Sequence, residues 1–202
     1  MKSIYLVRHT SVYNPTKLCF GQSEIPLEEN FTVSFDWIKE QLNTTENCAF
    51  YSSPLRRCTK LASYLSDDNF TIESRLNDLN FGNWEMKGWD KIPAKEVKLW
   101  QDDFVNYSTK KGENFADLFE RSVAFYEEVC STTNKENIVI ICHAGNIRSI
   151  LSYVLDFPLE NVFNLKIDYG SISKIAYNEA QKLSTIELIN FAPNSFKNLV
   201  KD

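Results

Sequence analysis

The sequence lacks several features that mark common protein classes. Its 202 residues include five cysteines, an odd number with no C-x2-C pair, which argues against a disulfide framework and a structural zinc site. The longest clean apolar run, residues 138–142, is far shorter than the ~20 residues that span a bilayer. The N-terminus is too short and too soon polar to be a signal peptide. We therefore expect reduced thiols, a cytoplasmic location and no membrane partner.

Positive charge is also scarce. Lys and Arg together number 22 against 27 Asp and Glu, which gives a formal net charge of −5. A nucleic-acid-binding face needs clustered basic residues, so we expect no nucleic-acid partner. A small anionic ligand needs only a local group of cations. Neither G-x-x-x-x-G-K-[ST] nor G-x-G-x-x-G occurs, which removes the ATP-dependent and dinucleotide functions that rely on those motifs.

Hydrophobic patterning predicts an α/β protein. Short β-branched apolar runs predict strands, and amphipathic stretches between them predict helices. The predicted strands are 2–7, 48–51 and 137–142, and the predicted helices are 31–43, 54–66, 91–104, 115–131 and 144–155. Asn114 and Asp117 form a capping-box pattern before the fourth helix. The alternation favours three layers, α/β/α, around a mainly parallel central sheet.

Two further regions depart from this alternation. Near the C-terminus three segments are predicted to be extended, and a turn at 178–181 joins the last two into an antiparallel hairpin at a sheet edge. These segments are 161–167, 171–177 and 183–190. Residues 76–112 are less regular and contain three of the four tryptophans. With no repeat or linker in the sequence, we interpret residues 1–202 as one domain, and residues 76–112 as an insertion over one end of the sheet.

The chain has only two histidines, and each follows one of its most apolar strands. His9 comes after Arg8, and the strand at 48–51 leads to Arg56 and Arg57. In open α/β sheets, ligands bind outside the carboxyl ends of the strands, so these side chains are predicted to converge with His143. A single histidine at a strand end is more often structural, and arginines at a helix start are usually solvated. Their joint placement favours a functional site.

Two imidazoles with guanidinium groups suit a phosphoryl group, since arginine presents a planar fork of donors to its oxygens. A helix predicted to start at Ala144 would add backbone N–H groups. A neutral imidazole can act as nucleophile and form a phosphohistidine. The leaving alkoxide then needs an acid, for which Asp78 and Glu85 are candidates because apolar neighbours raise a carboxyl pKa. Either carboxylate could instead cap a loop.

Four blocks of sequence, in this order along the chain, resemble the histidine phosphatase superfamily, also called phosphoglycerate mutase-like. They are residues 6–10 (LVRHT) with Asn14 following, residues 21–27 (GQSEIPL), residues 52–58 (SSPLRRC) and residues 142–148 (CHAGNIR). Residues 76–85 and 112–114 also match family positions. The resemblance spans most of the chain and implies a phosphoglycerate mutase-like fold and a phosphatase activity.

The resemblance also implies roles for individual residues. His9 would be the nucleophile, Arg8 and Arg57 would bind phosphoryl oxygens, His143 would stabilise the transition state, and Asp78 would donate the proton. The residues implied in substrate binding are Asn14, Gln22, Ala144 and Glu85. No metal or cofactor is implied.

Two positions depart from the family pattern. The family motif usually has glycine where this chain has Thr10, whose β-branched side chain restricts the backbone after His9. The family acid is usually Glu, whereas this chain has Asp78, which is shorter by one C–C bond of ~1.5 Å. Glu85 therefore remains an alternative acid.

Residues 19–27 and 81–85 are most similar to α-ribazole phosphatases of the cobalamin pathway. That similarity implies α-ribazole 5′-phosphate as the small phosphorylated substrate. We expect a monomer or a homodimer. Aromatic residues could wall in its benzimidazole, or could simply pack the insertion onto the body: Tyr13, Phe20, Phe81, Trp84 and Trp89. The alternatives are a phosphoglycerate mutase, a broad-specificity sugar phosphatase, and a phospholigand-binding module without turnover.

Overall fold

A single six-stranded sheet forms the centre of the computed structural model, which describes residues 1–42 and 47–193. The strands are β1 Lys2–Arg8, β2 Cys48–Ser52, β3 Thr71–Ile72, β4 Asn137–Cys142, β5 Ile172–Asn178 and β6 Leu183–Phe191. Their order across the sheet is β3-β2-β4-β1-β5-β6. Strands β1 to β4 are parallel, whereas β5 is antiparallel to β1 and to β6. The predicted mainly parallel sheet with an antiparallel C-terminal hairpin is confirmed.

Helices cover both faces of this sheet. The α-helices are α1 Phe31–Leu42, α2 Arg56–Ser66, α3 Ala94–Asp102, α4 Phe115–Thr132 and α5 Ala144–Leu155. Successive side chains of a strand point to opposite faces, so Ile138 and Ile140 of β4 pack with α4 and α5, while Val139 and Ile141 pack with α1 and α2. The predicted α/β/α layering is confirmed. In the described ranges, no helix combines the length and the apolar character needed to cross a membrane.

A reciprocal pair of hydrogen bonds fixes the start of α4. The Asn114 side chain accepts from the Asp117 backbone N–H at 2.8 Å, and the Asp117 carboxylate accepts from the Asn114 N–H at 3.1 Å. Two N–H groups that the first turn would leave unpaired are thereby satisfied. The capping box predicted from the sequence is confirmed, and α4 begins at the next residue, Phe115.

The prediction of an extended segment at 161–167 is wrong. Residues Leu159–Asn164 form a 3₁₀ helix instead. Pro158 stands at its N-cap and Glu160 lies in its first turn, and both residue types favour a helix start. Val162 is buried against Leu118 of α4, whereas the neighbouring Phe163 is 48% exposed. The apolar residues in this stretch suggested a strand, but their burial follows a helical turn.

Residues 76–112 pack against the loop that follows β1. They contain 3₁₀ turns at Gly82–Trp84 and Trp89–Lys91, and then α3, which corresponds to the predicted helix at 91–104 with narrower bounds. Trp84 is 2% exposed and packs with Cys19 and Ile92. Backbone hydrogen bonds join Cys19 to Met86 and Lys87. This packing brings the segment to the carboxyl ends of the central strands β1 and β4.

Candidate active site

The pairing of β1 with β4 places the two histidines side by side. The strands are parallel, and Arg8 lies opposite Cys142. A histidine follows each of these residues, so the register places the two histidines side by side. The His9 backbone N–H donates to the Cys142 carbonyl at 3.1 Å. The ring centroids of His9 and His143 are 5.1 Å apart, and each residue is 1% exposed. The convergence predicted for the two histidines is confirmed, whereas Arg56, which was predicted to join them, is exposed at the start of α2.

Hydrogen bonding selects one tautomer of His9. Its Nδ1 lies 2.9 Å from the Thr10 carbonyl oxygen, which can only accept, so Nδ1 carries the proton and Nε2 keeps a lone pair. Burial, followed by the charges of Arg57 and Arg8, holds the pKa of His9 well below its usual 6.5. His9 is therefore neutral at physiological pH and has a nucleophilic nitrogen.

Thr10 occupies the position where the related motif usually has glycine. Thr10 is 2% exposed, and its backbone is outside the positive-φ region where glycine is favoured. The Gly170 backbone N–H donates to the His9 carbonyl at 3.0 Å, and a Cβ built on Gly170 would lie 3.7 Å from the Thr10 methyl. The β-branched side chain is thus accommodated without backbone strain at that residue.

His143 is the N-cap residue of α5 and has the opposite tautomer. Its Nε2 lies 2.9 Å from the Ser53 hydroxyl, and its Nδ1 accepts from Arg57 Nε at 3.3 Å. Nε2 must therefore carry the proton and donate to Ser53. Burial and the charge of Arg57 lower the pKa of His143 well below 6.5. Ser53 lies in the block at residues 52–58, but its sequence context gives no sign of this contact.

Two guanidinium groups flank the imidazoles, that of the buried Arg57 and that of the half-buried Arg8. Arg57 is 1% exposed and donates to the carbonyls of Gly21 and Ser23. Arg8 donates to the Ile167 carbonyl at 2.7 Å, and its Cζ lies 3.6 Å from the centroid of the Tyr169 ring. Arg8 Nε is buried without a hydrogen-bond partner among residues 1–42 and 47–193, so it can still donate to an anion.

Asp78 is the carboxylate that reaches this cluster. One of its oxygens lies 3.3 Å from Arg57 Nη2 and 3.4 Å from His143 Nδ1, and 17% of the side chain is exposed. The other oxygen accepts from the Leu79 N–H at 2.9 Å. Burial raises the pKa of Asp78 above its usual value, and the charge of Arg57 opposes that rise. Asp78 can therefore retain a proton at higher pH than an ordinary aspartate.

Glu85 forms its contacts with a loop. Its carboxylate accepts from the backbone N–H groups of Gln22, Ser23 and Phe81 at 2.9, 2.6 and 3.1 Å, and also from the Ser23 hydroxyl. Gln22 in turn donates through its side chain to the Asp78 carbonyl at 3.0 Å. Four donors occupy the Glu85 carboxylate. It braces the segment whose carbonyls hold Arg57.

The other predicted ligand-binding positions differ in their surroundings. Asn14 closes a turn, because its amide both donates to and accepts from the Leu18 backbone at 2.9 Å. Ala144 is the first residue of α5, whose N-terminal end carries partial positive charge. A Cβ on Gly145 would lie 2.6 Å from Leu118 and 3.8 Å from Asp78. Glycine at that position lets the start of α5 approach α4 and the carboxylate.

The profile of the histidine phosphatase superfamily, branch 1, matches residues 4–190. The chain belongs to this superfamily. A protein of Hydrogenobacter thermophilus named as a phosphoserine phosphatase is 30% identical to this histidine phosphatase over 197 residues, which cover 94% of this chain and 96% of the relative. The adenosylcobalamin/alpha-ribazole phosphatase of Escherichia coli is 24% identical over 194 residues, with coverages of 93% and 95%.

A solved structure shows the same fold. The alpha-ribazole phosphatase from Shigella flexneri superposes on this histidine phosphatase with a TM-score of 0.83 at 23% identity, over 94% of this chain and 96% of that chain. The family predicted from the four sequence blocks and the phosphoglycerate mutase-like fold are confirmed. The family and the phosphatases among its relatives identify the chain as a phosphatase enzyme.

We expect Glu85→Gln to destabilise the protein by about 1–3 kcal/mol, because an amide cannot replace a carboxylate that accepts from four donors. The matched control is Glu120→Gln on the exposed side of α4, which should stay within about 0.5 kcal/mol of the wild type. Urea denaturation followed by circular dichroism measures both. Equal stability of Glu85→Gln and the wild type would contradict the bracing role.

Proposed function

We propose that this histidine phosphatase hydrolyses phosphomonoesters through a phosphohistidine on His9. In the first step, His9 Nε2 attacks phosphorus in line with the ester oxygen, a P–N bond forms and the P–O bond breaks. Asp78 gives its proton to the leaving alkoxide. In the second step, the Asp78 carboxylate takes a proton from water, which attacks phosphorus and breaks the P–N bond. Inorganic phosphate leaves, and His9 is neutral again.

The observation that carries this proposal is the pair of buried, neutral imidazoles 5.1 Å apart at the end of two parallel strands. A lone pair on His9 Nε2 is available for attack because Nδ1 is committed to the Thr10 carbonyl. Arg8 and Arg57 supply fixed positive charge, which compensates the negative charge of the transferring phosphoryl group. Asp78 approaches His143 closely enough to share the same substrate.

Two candidate substrates follow from the similarities of this chain. The similarity of residues 19–27 and 81–85 to α-ribazole phosphatases supports α-ribazole 5′-phosphate. Of the aromatic residues that could contact its base, Tyr13 and Trp89 are 56% and 42% exposed, whereas Trp84 is buried in packing. The 30% identity to a protein named as a phosphoserine phosphatase supports a small phosphorylated amino acid as the second candidate.

Incubation with a ³²P-labelled monoester and rapid quenching should trap a phosphoryl group on the wild-type protein, stable in alkali and labile in acid. His9→Ala should give no labelled protein and no turnover, because the substitution removes the nitrogen that attacks phosphorus. The control Ser11→Ala changes an exposed residue two positions away and should be labelled like the wild type. Labelling of His9→Ala at the wild-type level would overturn the mechanism.

The pH dependence tests the roles of His9 and Asp78 together. Because the pKa of His9 is lowered, its neutral form persists below pH 6.5, and the acid limb of kcat/KM should lie below that pH. Because the pKa of Asp78 is raised, its proton is lost as pH rises through that elevated value, and hydrolysis of alkyl phosphates should fall. Asp78→Asn should be slower by about 10²–10⁴-fold on alkyl phosphates and should lack that alkaline limb.

An aryl phosphate serves as the internal comparison for Asp78→Asn. Its leaving group needs less protonation, so Asp78→Asn should slow it less than an alkyl phosphate. Equal losses on the two esters, or an alkaline limb that persists in Asp78→Asn, would remove Asp78 from the acid role. An acid limb above pH 6.5 would contradict the neutral state of His9.

A panel of esters distinguishes the substrate candidates and the mutase alternative. It contains α-ribazole 5′-phosphate, phosphoserine, sugar phosphates and both phosphoglycerates, and the readouts are phosphate release and interconversion of 2- and 3-phosphoglycerate. We expect phosphate release, with the highest kcat/KM on α-ribazole 5′-phosphate or phosphoserine. Interconversion without phosphate release would replace hydrolysis by mutase chemistry.

A further inference from the structure

A second arginine lies beside Arg8 on the same stretch of backbone. Arg148 of α5 donates through Nε to the Leu165 carbonyl at 3.0 Å, and Arg8 donates to the Ile167 carbonyl at 2.7 Å. Leu165 has extended φ and ψ angles. Carbonyl groups two residues apart lie within about 7 Å of each other, and the charge of Arg8 acts on Arg148. The two guanidinium groups are therefore neighbours.

Each of these arginines is also held against an aromatic ring. Arg8 stacks on Tyr169 at 3.6 Å, and the Cζ of Arg148 lies 5.1 Å from the centroid of the half-exposed Phe163 ring. A carbonyl on one edge and a ring on one face restrict the rotamers of both side chains. The terminal nitrogens of Arg148 remain as a planar pair of donors. A preorganised fork of this kind matches a carboxylate.

The charge of the pair is not neutralised by a direct contact. Among residues 1–42 and 47–193, no carboxylate forms a salt bridge with Arg8 or Arg148. The nearby carboxylates have other partners, because Asp78 contacts Arg57 and Asp168 contacts Lys166 at 3.0 Å. Burial and the charge of Arg8 lower the pKa of Arg148 to about 10. Two adjacent cations of this kind favour a ligand with two anionic groups.

We infer that Arg148 binds a carboxylate of the substrate while the phosphoryl group lies between Arg8 and His9. This inference rests on the proposed function, since it takes the phosphoryl position from that mechanism. In a phosphorylated 2-amino or 2-hydroxy acid, four bonds separate phosphorus from the carboxylate carbon, a reach of about 5 Å. That span is within the reach of about 7 Å between the carbonyls that hold Arg8 and Arg148. The substrate class is therefore a small phosphomonoester that carries a carboxylate.

Two matched esters isolate the contribution of the carboxylate. O-phosphoserine and O-phosphoethanolamine share the phosphate and the ammonium group and differ by the carboxylate alone. The measured quantity is the ratio of their kcat/KM values, which is independent of the fraction of active protein. The wild type should prefer phosphoserine, and Arg148→Gln should lower the ratio about 10- to 100-fold, as expected for the loss of a charge-assisted pair of hydrogen bonds.

Two further variants control for the position and the chemistry of Arg148. Arg56→Gln removes an exposed arginine at the start of α2 and should leave the ratio at the wild-type value. Arg148→Lys keeps the charge without the planar fork and should give an intermediate ratio. Binding of a non-hydrolysable phosphonate analogue of phosphoserine, measured by calorimetry, should weaken in Arg148→Gln in parallel with the ratio.

The outcomes separate this inference from the mechanism on which it rests. A wild-type ratio near one, or a ratio that Arg148→Gln leaves unchanged, would overturn the carboxylate site while hydrolysis by His9 stands. Absence of phosphate release from both esters and from an aryl phosphate would instead refute the proposed function. A fall in activity on both esters by the same factor would assign Arg148 to support of the Leu165 backbone and would overturn its binding role.

Discussion

Parallel pairing of β1 with β4 is the constraint on which the site depends. The register sets Arg8 opposite Cys142, and the residue that follows each strand is a histidine. A shift of one residue would point the strand's apolar side chains to the wrong face of the sheet, and the fully buried Leu6 and Ile140 resist that shift. The hydrophobic core thus fixes the register of β1 and β4, and the register fixes the relative position of the two imidazoles.

Electrostatics then gives this geometry its chemical character. Arg57 and Arg8 remain charged inside the protein because backbone carbonyls and an aromatic ring replace part of their hydration. Burial, and after it the charge of these arginines, lowers the pKa of both imidazoles and keeps them neutral. The pocket combines fixed cations with neutral imidazole nitrogen. In the proposed mechanism, the phosphoryl dianion of the substrate would supply the negative charge that this arrangement lacks.

Much of this organisation could be predicted from the sequence, because burial on both faces gives strands a continuous apolar signature. The strand ends located His9 and His143, and the capping pattern located the start of α4. Side-chain partners were less accessible. Glu85 was a candidate acid beside aromatic residues, and only the fold shows its carboxylate occupied by four donors. Ser53 and Arg148 carry no local signal for their contacts, since their partners are distant in the sequence.

The position of β1 in the sheet has a consequence for biosynthesis. The earliest strand of this sheet in chain order is also a central one, and its two neighbours come from residues 137–142 and 172–178. A nascent chain therefore exposes the backbone and the apolar side chains of β1 until β4 has also emerged from the ribosome. Pairings this distant in sequence form late and slowly. N-terminal fragments that end before β4 have no partner for β1, and they are the species most prone to aggregation during synthesis.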